Sequence, residues 1–272
     1  MDVVLTISGY DSSGSTGIQA DLMTFQQMGV YGTCAVTTLA AQNTLGYQGL
    51  YPVTADFVIQ QIETIMRDFH VCAVKVGLLY REDIIEAVAK TIKHYQIPII
   101  LDPIVRTDGG ITILDEEEIK AYCDYLIPIA SVVTMTVPAV SAFTNTPIFG
   151  EDDVDKAARA MFKLGAKAVI VKGSKISRNE AVDTVYTLTD IAQLSAERIQ
   201  TIHTFGSSCS YSAALSVGIG KGQSIVEAAT EAKRYVTTAM KHPLSIGKGM
   251  GPLNHFVYEK EKQNTMIEIV TI

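Results

Sequence analysis

The sequence predicts an α/β protein of three layers, a mostly parallel sheet flanked on both faces by helices. The first observation behind this is a recurrence of short apolar runs, VVLTIS, TCAVTTLAA, CAVKVG, PIILDP, SVVTM and KAVIVKG, most of them followed by a stretch of helical period. Strands covered on both faces read as nearly continuous apolar runs, and parallel pairing needs a crossover helix between them. The second is size: 272 residues, 47% of them hydrophobic, can bury one large core, and a single domain over residues 1–272 is expected. No low-complexity tract, like-charge block or internal repeat interrupts the pattern.

The first strand, VVLTIS, leads into SGYDSSGSTGIQADL, where Gly9, Gly14 and Gly17 free the backbone ahead of a helix. The glycine spacing is not G-x-G-x-x-G, and Gly14 is followed by Ser15 and Thr16 rather than Lys, so neither a dinucleotide fingerprint nor a P-loop is present. A tight strand-to-helix turn is one reading. The other is a ligand loop, because Asp11 and Asp21 place carboxylates near the strand end and the next strand closes on Gln42-Asn43, a set able to hydrogen-bond a small heteroaromatic ring. From Thr54 to Phe69, the residues Phe57, Ile62, Ile65, Met66 and Phe69 recur at helical spacing and predict one apolar stripe facing the sheet. Asp115 with Glu118, and Ser224 with Glu227, have the spacing of capping boxes. Between Lys172 and Ile202 short alternating runs such as AVDTVYTL predict antiparallel strands at a sheet edge. Two helices follow, over roughly 207–221 and 224–241. Ligands of an open parallel sheet gather beyond its carboxyl ends, which directs attention to the loops after VVLTIS, TLAAQ, KVG, ILDP and VVT.

The stretch HTFGSSCSYSAAL, residues 203–215, crowds small residues around one thiol where a helix begins. A helix starting at Gly206 or Ser207 presents unpaired backbone N–H groups that suit a phosphate. Cys209 in its first turn would feel the positive helix end, which favours thiolate and a role as base or nucleophile. A buried, inert cysteine is the alternative.

A formal net charge of −7 excludes a broad phosphate-coating surface for DNA or RNA but not a small anion bound locally. No apolar run approaches the roughly 20 residues of a membrane span, and Met1-Asp2 passes straight into VVLTI with no basic leader, so a cytoplasmic protein is expected. Cys34, Cys72, Cys123 and Cys209 form no CxxC pair, and the histidines fall at no ligand spacing, so neither a disulfide framework nor a structural zinc is expected.

The run SGYDSSGSTGIQADLMTFQQMGVYGTCAVTTLAAQNTLG resembles the opening of the hydroxymethylpyrimidine and phosphomethylpyrimidine kinases of thiamine biosynthesis, a branch of the ribokinase-like kinases. The likeness continues in order through AVKVGLL, ILDP, LGAKAVIVKG, FGSSC and GKGMGPLNHF. The resemblance implies a ribokinase-like domain that phosphorylates a pyrimidine alcohol, or a pyridoxal-type one, with ATP and Mg²⁺, and often works as a homodimer. By matching positions, Gly9, Asp21 and Gln42 would hold the pyrimidine and Leu78 would pack near its ring. Cys209 would be the base, the backbone of Gly206, Ser207 and Ser208 would cradle the moving phosphoryl, Lys172 and Gly173 would lie near the nucleotide, and Asp102 would serve magnesium.

The chain also departs from that pattern. Thr136 and Ala139 stand where the family has Asn and, three residues on, Glu, a pair tied to magnesium and phosphate. Asp108 stands where Lys is usual, with Arg106 nearby. Ser207 and Ser208 replace Thr and Gly of Gly-Thr-Gly-Cys, and a side chain at 208 would be strained if that position needs positive φ. Phe205 replaces a common His. Because the departures fall on the nucleotide side, two expectations stand: a working kinase, and a scaffold that binds the pyrimidine without efficient transfer. The tail from His242 to His255, HPLSIGKGMGPLNH, would either cover the nucleotide side or close the fold.

Overall fold

The computed structural model describes residues 1–106, 112–175, 177 and 179–272. Ten strands form one sheet: β1 (Val3–Asp11), β2 (Tyr31–Asn43), β3 (Gly46–Pro52), β4 (Val71–Val76), β5 (Ile99–Leu101), β6 (Val132–Thr136), β7 (Val169–Lys172), β8 (Glu180–Tyr186), β9 (Ile191–Glu197) and β10 (Glu268–Thr271), in the spatial order β10-β9-β8-β7-β6-β5-β4-β1-β2-β3. The central six, β2-β1-β4-β5-β6-β7, are parallel. Antiparallel strands extend both edges: β3 as a hairpin on β2, and β8, β9 and β10 beyond β7. The predicted parallel core and the antiparallel edge after Lys172 are both present. β3 and β10 add strands that the apolar runs did not announce.

The helices are α1 (Gly17–Gln27), α2 (Ala55–Asp68), α3 (Glu82–Ile92), α4 (Glu116–Ala121), α5 (Val137–Thr144), α6 (Glu151–Lys163), α7 (Ser207–Gly220), α8 (Ile225–Lys241) and α9 (Tyr258–Glu261). The two-residue alternation of a strand divides them into two layers. Leu5, Val74, Leu101 and Val133 face a core closed by α2 to α6, while their neighbours Val4, Ala73, Ile100 and Val132 face a second core closed by α7 and α8. Apart from the outer ends of β1 and β2, where Tyr10, Tyr31 and Leu39 are exposed, neither face of the parallel strands meets water, which is why they read as unbroken apolar runs.

Helix α7 is buried nearly all round, because it lies between the sheet and α8. Its small residues make that possible: a Cβ on Gly220 would meet Cys72 Sγ at 2.8 Å, and one on Gly218 would meet Ala228 Cβ at 2.7 Å. Its buried serines satisfy their hydroxyls on the preceding turn, Ser210 on Gly206 O and Ser216 on Ser212 O. Both predicted capping boxes form, at Asp115 ahead of α4 and at Ser224 ahead of α8. Of the stripe expected on α2, Ile62 is buried and Ile65, Met66 and Phe69 pack against the same core, whereas Phe57 is 54% exposed and Val58 takes the buried position beside it. None of the described helices is long and apolar enough to cross a membrane.

His255 is a core histidine. Its Nδ1 shares a 2.8 Å hydrogen bond with the Tyr235 hydroxyl, its Nε2 has no partner among the described residues, and burial pulls its pKa from 6.5 down to about 4. A depressed folded-state value means that the unfolded chain binds the proton first. The stability contributed by the neutral ring is therefore whole above pH 6.5 and is lost as pH falls towards 4, with about 2 kcal/mol gone by pH 5. Urea unfolding between pH 8 and pH 4.5 should show this slope in the wild type and a shallower one in His255→Phe; equal slopes would assign the acid sensitivity elsewhere.

Candidate active site

Two helix N-termini converge at the carboxyl end of the sheet, and two glycines allow it. Gly17 opens α1 at φ 57°, where a Cβ would lie 2.2 Å from Gly9 O; Gly206 caps α7 at φ 86°, where a Cβ would lie 2.0 Å from Ser15 O. No other residue tolerates both the left-handed backbone and the approach. The loop between β1 and α1 is folded around Asp11. Its carboxylate accepts from Ser13 N (2.8 Å), Thr16 N (2.9 Å), the hydroxyls of Ser13 and Thr16, and Gln42 Nε2 (3.1 Å). A carboxylate only accepts, so the Gln42 amide nitrogen faces Asp11.

Below this junction lies a cavity of about 970 Å³. Of the residues expected at a site, Gly9, Gln42, Leu78, Asp102, Gly206, Ser208 and Cys209 line it together. Every loop singled out at the carboxyl ends of the parallel strands contributes to the wall up to β6. Leu78 is held by its own backbone, its N–H donating to Ser8 Oγ (3.2 Å) and its carbonyl accepting from Thr37 Oγ1 (2.6 Å).

Four expected residues are elsewhere. Asp21 does not face the cavity: it is fully buried under α1, where its Oδ2 accepts from Thr6 Oγ1 (2.6 Å) and Lys75 Nζ (2.8 Å), while Oδ1 has no partner among the described residues. Burial pushes the Asp21 carboxyl above its ordinary range. Burial also opposes the charge on Lys75, but the nearby acids outweigh it and hold the lysine above its ordinary value. Lys172 sits one layer behind the wall, and Gly173 turns away, its N–H donating to Asp183 Oδ1. The Ser207 N–H is already spent on Thr204 O at 3.0 Å, whereas those of Ser208 and Cys209 have no acceptor among the described residues.

Lys172, Asp102 and Ser208 form one buried polar cluster with two residues that the sequence reading did not single out, Thr134 and Ser212. Asp102 accepts from Lys172 Nζ (2.9 Å), Thr134 Oγ1 (2.9 Å), Ser212 Oγ (2.9 Å) and Ser208 Oγ (3.1 Å), and Lys172 also donates to Ser208 Oγ (2.5 Å). Burial disfavours the Asp102 charge, but the ammonium groups of Lys172 and Lys75 and these hydrogen bonds hold its pKa below the usual range. Lys75 was also missed; the signal was a lysine inside the apolar run CAVKVG, where only a buried partner makes a charge tolerable.

Cys209 lies in the first turn of α7 and lines the cavity, but the expected thiolate is overturned. Burial pushes its pKa up to about 12, against the pull of Lys75 and a hydrogen bond from the Gly17 backbone. One turn of helix dipole does not offset full desolvation.

The departures from the family pattern can now be placed. Ser208 is in ordinary helix, so the strain expected from a missing glycine is absent. Thr136 ends β6 and Ala139 lies on α5, both on the cavity wall, so that wall carries no carboxylate at those two positions. Phe205 lines the cavity and bridges to Pro252. Arg106 also lines it, while Asp108 lies outside the described residues. Among the described residues no three His, Cys, Asp or Glu side chains cluster to hold a metal. Asp102 does not supply a free ligand either, since both its oxygens accept hydrogen bonds from the protein. The side chains present do not fit a protein-held magnesium ion.

A family model described as phosphomethylpyrimidine kinase matches residues 11–254. The chain is 39% identical over 262 residues to the hydroxymethylpyrimidine/phosphomethylpyrimidine kinase of Haemophilus influenzae, covering 94% of this chain and 97% of that one. Among solved structures it is similar to the pyridoxal kinase of Staphylococcus aureus in complex with AMP-PCP and pyridoxal, at a TM-score of 0.91 and 28% identity, covering 100% of this chain and 99% of that one. It is also similar to an ADP complex of Bacillus subtilis pyridoxal kinase, at a TM-score of 0.89 and 35% identity, covering 96% and 99%.

The protonation of Cys209 is open to direct measurement. The ultraviolet thiolate absorbance that distinguishes wild type from Cys209→Ser should stay flat as pH rises through the ordinary thiol value of 9.0. An inflexion below that value would show a thiolate stabilised in the ligand-free site.

Proposed function

The chain belongs to the phosphomethylpyrimidine kinase family, and from that premise we propose that its cavity phosphorylates the hydroxymethyl group of an aminopyrimidine, hydroxymethylpyrimidine or its monophosphate, as a step of thiamine biosynthesis. The observation that carries this reading is the convergence on one cavity of Gln42, Leu78, Cys209 and the N–H groups of Ser208 and Cys209, which have no acceptor among the described residues. The ring lies over Gly9 against Leu78, with the Gln42 amide at its polar edge. ATP is the donor and brings magnesium on its own phosphates; no step below runs through the metal.

Phosphoryl transfer asks mainly for in-line positioning and for neutralisation of the transferring oxygens. The free N–H groups at the start of α7 meet the γ-phosphoryl, and their orientation is fixed before substrate arrives. Lys172 and Asp102 support them from behind, because Ser208 ties both to the first turn of the helix. A neutral thiol cannot take a second proton, so Cys209 acts as a relay. As the hydroxyl oxygen attacks phosphorus, its proton passes to sulfur while the S–H proton leaves for a phosphoryl oxygen, and the products are the phosphate ester and ADP.

Pyridoxal-type alcohols are a second reading, favoured by the likeness to two pyridoxal kinases over nearly the whole chain. The expectation of a ring-binding protein that has lost transfer gains no support. Ser208 is unstrained and bonded, and the curated relatives matched over most of the chain are kinases. We propose further that the chain is a single cytoplasmic domain that dimerises through the β3 edge, where Tyr10, Leu39 and Tyr51 are in register and exposed.

A coupled assay of ADP release with hydroxymethylpyrimidine, its phosphate and pyridoxal should give turnover highest with a pyrimidine alcohol. Cys209→Ala should lower kcat by about 10²-fold or more with KM little changed. The relay predicts a rate flat in pH up to about 9; no turnover above Cys209→Ala would sink the proposal. The double variant Thr136→Asn, Ala139→Glu reports on the missing pair: a many-fold gain means that its loss limits the rate.

A further inference from the structure

The C-terminal tail lines no part of the cavity, yet it joins the two structures that do. The hairpin of β2 and β3 brings Gln42, Tyr47 and Leu50 to one side of the cavity, and its turn holds Thr44. Residues 247–253 run from that turn to the start of α7. Lys248 N and Gly249 N both donate to Thr44 Oγ1, at 3.1 and 3.2 Å, and Met250 N donates to Thr44 O at 3.0 Å. Next, Gly251 N donates to His203 Nδ1 (3.1 Å), Phe205 N donates to Gly251 O (3.2 Å), and Leu253 N donates to Phe205 O (3.2 Å). Phe205 lines the cavity and precedes the Gly206 cap.

Bare backbone is required at this crossing. A Cβ on Gly249 would stand 1.9 Å from Thr44 O, and one on Gly251 would stand 2.3 Å from His203 Nδ1. The hairpin lies at the free edge of the sheet, with no further strand beyond β3 among the described residues. The end of the hairpin that reaches the cavity is held on one side by Ser12, which exchanges hydrogen bonds with Gln42 N and O, and on the other by the tail.

We propose that Thr44 is a positioning residue for the transfer reaction: its hydroxyl, by accepting the Lys248 and Gly249 N–H groups, anchors the hairpin to the tail and so fixes Gln42 over the ring site. The inference rests on the reading of that site as the ring-alcohol site. Tail and hairpin thereby couple the ring-binding side to the phosphoryl-binding side through Phe205. Two hydrogen bonds to one hydroxyl are enough for a measurable effect, since losing them leaves donors competing for water and frees the turn to open locally.

The test uses the full chain as wild type, Thr44→Val, which keeps the shape and removes the acceptor, and Thr44→Ser, which keeps the acceptor. Hydrogen exchange over residues 42–50 is measured without ligand, and KM and kcat are measured with hydroxymethylpyrimidine and ATP. Thr44→Val should exchange about tenfold faster over that segment and raise KM for the alcohol about tenfold with kcat within about twofold, while Thr44→Ser stays near wild type. Unchanged exchange or unchanged KM in Thr44→Val, or an equal loss in Thr44→Ser, would overturn the proposal. A wild-type chain that phosphorylates no ring alcohol would sink the reading of the site instead, and the ligand-free exchange comparison would still decide the anchoring.

Discussion

The constraint on which the site depends is the approach of Gly206 to the carbonyl of Ser15, with Gly17 against Gly9 beside it. These contacts leave no room for a Cβ, so they fix the first turns of α7 and α1 against one another. Cys209, Ser208 and the Gly17 N–H inherit their positions from that junction. Donors held this way do not reorganise when charge arrives, and preorganisation of this kind is what electrostatic catalysis uses. A loop of larger residues could supply the same donors only at greater distance.

Behind the junction lie two buried ion pairs of different character. Asp21 with Lys75 leaves one carboxylate oxygen unpaired, whereas Asp102 with Lys172 is satisfied by three hydroxyl groups as well. Buried pairs of this kind contribute little net stability, because desolvation cancels most of the Coulomb gain. Their positions under the α1 and α7 termini give another reason for them. Lys75 brings an ammonium group beneath Cys209, and Lys172 brings one beneath Ser208, each balanced by its aspartate and neither on the cavity wall.

The architecture was largely legible because it follows from local rules. Two-face burial makes the parallel strands apolar throughout, the capping boxes mark α4 and α8, and small residues mark the crowded start of α7. What stayed hidden depends on neighbours far apart in the chain. Asp21 read as a ligand because it follows closely on the glycine loop, but it lies within α1 and its spatial neighbours are Thr6 and Lys75 on the sheet. The protonation of Cys209 was misread for the same reason: a helix start is visible in sequence, whereas the desolvation that outweighs it is not. Ile62, Ile65, Met66 and Phe69 face the core as the period of α2 predicts, yet Phe57 at the edge of that stripe faces outwards and its neighbour Val58 is buried instead. The glycines of the tail announced close approach without naming Thr44 or His203 as the groups approached.

The departures from the family pattern take on a common meaning once Ser208 is seen to be bonded. A glycine at that position would leave Lys172 with Asp102 as its main partner. The Ser208 hydroxyl accepts from the lysine and donates to the aspartate, so both charges are tethered to the first turn of the helix whose N-terminal amides face the cavity. Thr136 and Ala139 leave the cavity wall without a carboxylate at those two positions. What the site does hold in place is a set of fixed amides with a lysine behind them. Because charge-assisted hydrogen bonds are the stronger kind, that tether preserves order at the start of α7.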